Sequence, residues 1–300
     1  MLLSYWPNMG QPWSSLAEGV AHAEATGWHG VYLTDHFMGD SGEFGAVSAP
    51  TLECTAAIAA LAGATSRVRL SSLVMSATYR HPAVLANWAA TVDHASGGRL
   101  TLGLGAGWQV NEHEQYGIPL GTPGERRRRL EEYVTVVRSL LDQEHTTMEG
   151  EFFSLRDAVC EPKPVQDRLP ILIGAKGDRM LQVVARHADA WNMWSVPDTI
   201  RERSAALDRA CDAIGRDPAS IARSTQALVF LTDDRAKGED LVRRVSPRAA
   251  VAGPPSAFAE AVAEWAEIGV SEVIVPDFTL GDGAQRAEAM DALREAVDGR

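Results

Sequence analysis

Cysteine is scarce in this chain: 300 residues carry three, Cys54, Cys160 and Cys211. The number is odd and the positions lie far apart. A disulfide framework is therefore excluded, and reduced thiols in a cytoplasmic protein are expected. Long apolar runs are missing as well. No stretch of about 18 apolar residues occurs, so no membrane-spanning helix is expected. The first residues, Leu2-Leu3-Ser4-Tyr5, lack the basic region and apolar stretch of a secretory leader and read as a strand. Positive charge is in deficit. Lys and Arg number 28 against 40 Asp and Glu, a formal net charge of −12, which argues against nucleic acid or an anionic membrane as partner. No Pro/Gly/Ser-rich linker or low-complexity run divides the chain, so one domain over residues 1–300 is expected.

What the chain has is apolar residues, 45% of the total, in enough length to bury a large core. Its most informative stretch is residues 97–112, where an apolar strand, Leu100 to Leu104, runs into Gly103, Gly105 and Gly107 and then Asn111 and Glu112. Glycines at a strand end let the backbone approach a flat ligand closely, because no Cβ holds it off. A dinucleotide fingerprint would need its third glycine at 108, where Trp108 stands, and a helix opening directly afterwards. The stretch therefore reads as a glycine-lined strand end in another α/β fold.

Periodicity elsewhere alternates strands with helices. Strands are expected at Leu2–Tyr5, Val31–Thr34, Val68–Val74, Leu100–Leu104, Ile171–Ile173, Ala190–Met193, Ala227–Leu231 and Val273–Val275. Between them fall helices, one capped by Ser14 and stopped at Gly27, another opened by His81-Pro82 and stopped at Gly97-Gly98. Further helices are read near Leu52–Ala64, Glu125–Asp142, Met180–His187, Thr199–Ile214 and Ser256–Ile268, and a last one at the end of the chain. About eight such units in one domain is the count of a (β/α)8 TIM barrel, whose functional groups sit at the C-terminal ends of the strands.

That rule selects the candidates. They are Asp35 and His36 after the second strand, Ser71-Ser72-Leu73-Val74-Met75 and then Thr78-Tyr79-Arg80-His81-Pro82 at the third, and Gly105, Gly107 and Asn111 after the fourth. After the fifth comes Gly174-Ala175-Lys176-Gly177-Asp178-Arg179, opening a helix, and after the sixth come Asn192 and Trp194. A glycine-bearing turn into a helix N-terminus is a ready anion site, and Lys176 and Arg179 add positive charge. The Gly-Lys-Ser/Thr ending of a Walker loop is absent, so the phosphate of a cofactor is the simplest occupant.

With these segments in view the chain resembles the bacterial luciferase-like monooxygenase superfamily, in the branch that uses the deazaflavin coenzyme F-420. The segments that carry the resemblance are Ala23-Glu24-Ala25-Thr26-Gly27-Trp28 with Asp35-His36-Phe37, and Tyr79-Arg80-His81-Pro82-Ala83-Val84-Leu85-Ala86. Asp93-His94-Ala95-Ser96-Gly97-Gly98-Arg99-Leu100 through Gly107-Trp108, Glu161-Pro162-Lys163-Pro164 and Pro170 to Gly174 follow, and then Ala185 to Asn192. They span most of residues 1–195 in the expected order, and the C-terminal third matches only loosely.

The resemblance implies roles residue by residue. Asp35 and His36 match the pair that faces the cofactor ring, and Ser72-Leu73, or a bond within a residue of it, matches a non-prolyl cis peptide behind the ring. Met75 lies beside it. Gly105, Gly107 and Asn111 match the cofactor-contacting turn, and Gly174, Ala175, Lys176, Gly177 and Asp178 the phosphate loop. In the sugar-phosphate dehydrogenase members a carboxylate stands where this chain has Trp108, so sugar-phosphate oxidation is not carried over. Trp108, with Trp194, is expected in a flatter, more apolar substrate pocket suited to an aromatic or unsaturated carbonyl compound.

The function these implications support is hydride transfer between coenzyme F-420 and a small organic molecule, with His36 as proton donor, because histidine titrates near neutral pH. Asp35 either fixes its tautomer or, pointing to the opposite face, serves the barrel interior. An FMN-dependent monooxygenase on the same scaffold and a non-catalytic flavin- or deazaflavin-binding barrel are the alternatives. A homodimer is expected from the family. His113, in Asn111-Glu112-His113-Glu114, lacks ligand spacing, and no metal is expected. Arg126 to Arg129 cover every face of one helix and read as solvated and salt-bridged. Trp6, Trp88, Trp191 and Trp265 read as packing.

Overall fold

A computed structural model of the chain describes residues 1–42 and 45–299. Thirteen strands and ten α-helices alternate along them. The strands are β1 (Leu2–Trp6), β2 (Gly30–Leu33), β3 (Arg69–Ser72), β4 (Met75–Ser76), β5 (Leu100–Gly105), β6 (Thr146–Glu149) and β7 (Ser154–Ala158). They continue with β8 (Ile171–Gly174), β9 (Ala190–Asn192), β10 (Ala222–Gln226), β11 (Leu228–Leu231), β12 (Ala250–Gly253) and β13 (Glu272–Pro276). The helices are α1 (Trp13–Ala25), α2 (Cys54–Ala64), α3 (Pro82–Ser96), α4 (Val110–Tyr116) and α5 (Pro123–Asp142). The others are α6 (Asp178–His187), α7 (Pro197–Asp212), α8 (Arg235–Val245), α9 (Pro255–Glu267) and α10 (Gly283–Asp298).

The parallel sheet runs β3-β2-β1-β13-β10-β9-β8-β5, and β3 also pairs with β5, which closes it into an eight-stranded barrel; β4 continues the place of β3 beside β5. The chain is thus a (β/α)8 TIM barrel. Closure follows from period-two alternation in strands covered on both faces. One set of side chains, among them Leu3, Tyr5, Leu33, Leu70, Leu102, Ile173, Trp191 and Val273, packs outward under the helices. The other set fills the barrel: Trp6, Tyr32, Leu172 and Ile274, with Leu73, Val74 and Trp194 packed on them. Trp6, Trp191 and Trp265 are buried and Trp88 is half-buried against the core. The three cysteines are free and buried.

Several boundaries differ from the sequence expectation. The seventh barrel strand is β10, not Ala227–Leu231. The sequence of β10, Ala-Arg-Ser-Thr-Gln, hides it because Ser224 and Gln226 belong to the face turned to the barrel interior. The apolar run that follows, β11, leaves the barrel to pair with β12, and α8 connects the two. The expected third strand is interrupted at Leu73-Val74. The first helix is flanked by Pro12 rather than capped by Ser14. A short helix, α4, opens at Val110, soon after the glycine run. Helix α5 begins earlier than read, because Thr122 and Glu125 form a reciprocal capping box. Its arginines divide as expected of a solvated helix: Arg127 pairs with Glu131 at 3.1 Å, Arg128 with Glu151 at 2.8 Å, and Arg129 lies over the Phe152 ring. Among the described residues no helix is long and apolar enough to cross a membrane.

Candidate active site at the barrel mouth

The C-terminal ends of β2, β4 and β5 bring one polar cluster together. His36 follows β2, and its Nδ1 lies 2.8 Å from Oε1 of Glu112, which α4 presents from the far side of the β5 loop. The backbone N–H of Phe37 donates to the other oxygen, Oε2, at 2.9 Å, and the Tyr79 hydroxyl donates to Oε1. Glu112 is fully buried. Burial works to raise its pKa, but the hydrogen bonds from His36, Tyr79 and the Phe37 N–H outweigh it and hold the carboxyl below the ordinary range. The Tyr79 hydroxyl moves the other way, pushed far up by burial and by the adjacent carboxylate.

Asp35 does not fix the tautomer of His36; Glu112 takes that place. Asp35 is itself buried and grips Arg80 in a two-pronged ion pair, at 2.7 and 2.9 Å, and accepts the Ser76 N–H at 3.0 Å. The second Arg80 Nη also reaches Glu53, the cap of α2, at 2.5 Å. Burial would lower the Arg80 pKa, but the contacts to Asp35 and Glu53 overcome it and raise it. Asp35 is therefore the post that ties β2 to β4. Glu112 escaped the sequence reading as a site residue, and Tyr79 and Arg80 stood there only as strand-end candidates without a role. Only tertiary contact reveals their partners.

The glycines of β5 serve the protein's own chain. A Cβ on Gly103 would run into the Ser72 carbonyl oxygen, and one on Gly105 would lie 2.5 Å from Val74 Cγ2. Val74 also lies 3.1 Å from where a Gly174 Cβ would be. The close approach expected of a ligand is made here by the chain between β3 and β4, where the Leu73–Val74 peptide is cis. That is one bond beyond Ser72-Leu73 and within the expected window. The Ser72 side chain turns away from the mouth and donates to the Gly103 carbonyl at 2.8 Å, and Met75 is buried in the helix-facing core. Gly107 has φ +79° beside the Ser76 and Thr78 hydroxyls. Asn111 donates to the Gly39 carbonyl at 2.9 Å, pinning the loop after β2.

Trp108 is half exposed and meets the His36 ring edge-on, with centroids 5.4 Å apart. Trp194 packs at 5.6 Å on Trp6, lies under Arg248 and donates to the Ala249 carbonyl. A cavity of about 460 Å³ opens beside His36, lined by Met9, Gln11, Thr34, Met38 and Phe278 among others. Among the described residues, three buried polar atoms near strand ends lack partners: Trp6 Nε1, Ser195 Oγ and Gln226 Oε1. Further round the mouth, Gly174 to Asp178 lead into α6, and Lys176, Gly177, Asp178 and Arg179 are exposed. Gly177 caps α6 with no side-chain hydrogen bond, its φ is an ordinary −80°, and a Cβ there would meet nothing within 4 Å. Arg203 adds a cation that sequence reasoning missed, 2.8 Å from Asp178. Among the described residues, no three His, Cys, Asp or Glu side chains gather as a metal site.

The comparisons with known proteins agree with this architecture. A pyrimidine monooxygenase of Pantoea ananatis, RutA, is 34% identical over 180 residues, 56% of this chain and 48% of that protein. The F420-dependent glucose-6-phosphate dehydrogenase of Kineococcus radiotolerans is 29% identical over 239 residues, 77% of this chain and 68% of its own. An uncharacterized protein of Mycobacterium tuberculosis is 32% identical over 247 residues, 81% of this chain and 76% of that one. Among solved structures, an F420-dependent secondary alcohol dehydrogenase in complex with an F420-acetone adduct superposes with a TM-score of 0.86 over 99% of this chain and 98% of its own, at 18% identity. The luciferase-like monooxygenase family model matches residues 3–299, nearly the whole length, and the chain belongs to that family.

Proposed function

We propose that the protein is an oxidoreductase that transfers hydride between coenzyme F-420 and a small organic substrate. The observation that carries this reading is the His36–Glu112–Tyr79 cluster beside an open cavity at the C-terminal end of the barrel. A buried carboxylate holding a histidine at the rim of a cavity is an arrangement for moving protons. The F420-dependent relatives point to the cofactor.

The residues present fit that group. Neither backbone geometry nor packing requires glycine at 177, so the open space before α6 suits an outside occupant. The uncapped N–H groups of the first turn of α6 favour an anion there, with Lys176, Arg179 and Arg203 near by. The unpartnered Trp6, Ser195 and Gln226 atoms suit a polar heterocycle or substrate at the mouth. Gly174 to Asp178 would hold the phosphate, and Leu73 and Val74, seated against Gly105, would face the ring. When bound in its reduced form, the deazaflavin supplies a hydride from C5. The chain does the rest. Met9, Met38 and Phe278 line the cavity, Trp108 stands edge-on to the His36 ring where it would meet the substrate, and His36 would deliver the proton that balances the added hydride.

Parallel fluorescence titrations with coenzyme F-420 and FMN test the reading, which expects tighter binding of F-420. Tighter binding of FMN sinks it and favours the second reading, an FMN-dependent monooxygenase, for which the similarity to RutA speaks.

A further inference from the structure

We propose that Glu112, assisted by Tyr79, is the positioning group of this site: by holding His36 at Nδ1 it makes Nε2 the atom that exchanges a proton with the substrate. The proposal rests on the oxidoreductase reading above. It begins from donor counting. An ionised carboxylate only accepts hydrogen bonds. Oε1 takes the Tyr79 hydroxyl and lies 2.8 Å from His36 Nδ1, and Oε2 takes the Phe37 N–H at 2.9 Å. Every group facing Glu112 from the β2 and β4 loops is thus a donor, and Nδ1 must carry a hydrogen.

The grip has two points on neighbouring residues, the His36 ring and the Phe37 backbone. It fixes the ring's orientation as well as its tautomer. Tyr79 is held in turn between the Phe37 ring, 4.7 Å away, and the His113 ring, 4.9 Å away. His113 is not an alternative proton carrier. Its Nδ1 meets the Gln109 carbonyl at 2.6 Å, its Nε2 meets Thr78 Oγ1 at 2.7 Å, and it is buried.

The chemistry follows. In the reductive direction, a bound reduced deazaflavin would supply hydride to one atom of a C=C or C=N bond, and the other atom would need a proton. The His36 Nε2–H bond breaks, its electron pair stays on Nε2, and the proton forms the new bond at the other atom. The neutral ring left behind carries its hydrogen on Nδ1. Glu112 accepts from that form, so no tautomeric rearrangement follows proton loss. The neutral ring of a free histidine side chain prefers the opposite form, and without Glu112 the site would rest with Nε2 already protonated and uncharged, a poor acid. Solvent returns the proton to Nε2.

The test is nitrogen-15 NMR of the histidine rings in the whole protein without cofactor. At alkaline pH the wild-type His36 ring, assigned with His36→Gln, is expected to show a protonated Nδ1 and a bare Nε2. Glu112→Leu should move the hydrogen predominantly to Nε2, and Glu112→Gln, which keeps an acceptor oxygen and the shape, should retain part of the native form. Should Glu112→Leu not fold, Glu112→Gln and Tyr79→Phe still report. A neutral wild-type His36 protonated at Nε2, or a tautomer unmoved in every folded variant, overturns the proposal. A parallel F-420 titration of the same samples tests the oxidoreductase reading by itself, because the tautomer is read without cofactor.

Discussion

At the scale of single residues, two acids four ångströms or less from their partners do different jobs because of what surrounds them. Asp35 is matched by a guanidinium in a fixed two-pronged geometry, which makes it a structural tie. Glu112 is held instead by the Phe37 N–H, the Tyr79 hydroxyl and a histidine that can gain or lose its charge. This division leads to a kinetic expectation for His36. Changing His36 to Ala should lower turnover by about 10² to 10⁴, the range of general acid catalysis. Cofactor affinity should change far less, since the residues that would hold the phosphate lie at Gly174 to Asp178. Steady-state rates on an identified substrate, beside F-420 titration of the same variant, check this. Full turnover would hand the proton to solvent or to a substrate group.

At the scale of elements, the barrel's mouth is built by glycines with opposite reasons for being there. Gly103 is required by the chain itself, because the Ser72 carbonyl occupies the place of a side chain. Gly177 is required by nothing in the chain. Gly103→Ala should therefore destabilise the fold by about 1–3 kcal/mol or more, the cost of overpacking. Gly177→Val should cost under about 1 kcal/mol as a poorer helix cap but weaken cofactor binding first. Urea denaturation and F-420 titration of both variants separate the two. Equal effects on stability, with unchanged binding, would remove Gly177 from the phosphate site. The sequence reading treated both glycines alike, because a glycine's spelling does not say whether the atom it makes room for belongs to the chain or to a ligand.

At the scale of the whole molecule, acid should act through buried carboxylates. Glu112 has its folded-state pKa depressed below the ordinary 4.5, so its contribution to stability is present above that value and lost as pH falls below it. Asp277 opposes this: burial raises its carboxyl above 3.8 despite hydrogen bonds from Tyr5 and the Asn8 N–H. The total profile therefore mixes signs, and a difference is the proper measure. The stability gap between wild type and Glu112→Gln, about 1.5–3 kcal/mol for hydrogen bonds to a charged group, should be constant near neutral pH and close as pH falls through 4.5 and below. A gap independent of pH would mean that Glu112 is not ionised in the folded protein. Assembly is the other whole-molecule question. Helix α2 exposes Ala56, Ala60, Gly63 and Ala64, and α3 exposes Val84, a surface that permits close approach of a second copy. Light scattering at micromolar concentration is expected to give twice the 32.3 kDa of one chain. A monomer mass would count against the dimer.

The sequence by itself determined the barrel, because its evidence is local. Period-two apolar strands alternate with capped helices, and each strand end falls where a loop residue or glycine marks it. It also placed His36 at a strand end and Gly174 to Asp178 ahead of a helix. It misread the seventh strand, because β10 spells polar residues that turn into a barrel whose existence no window of five residues reveals. Partnership was decided only by the tertiary structure. Glu112 is 76 residues from His36, and Arg80 is 45 from Asp35. Which acid holds the histidine and which is neutralised by the arginine depends on how closing the barrel brings β2, β4 and α4 together. A charge's role is set by its neighbours in space, and the chain's spelling orders them only along its length.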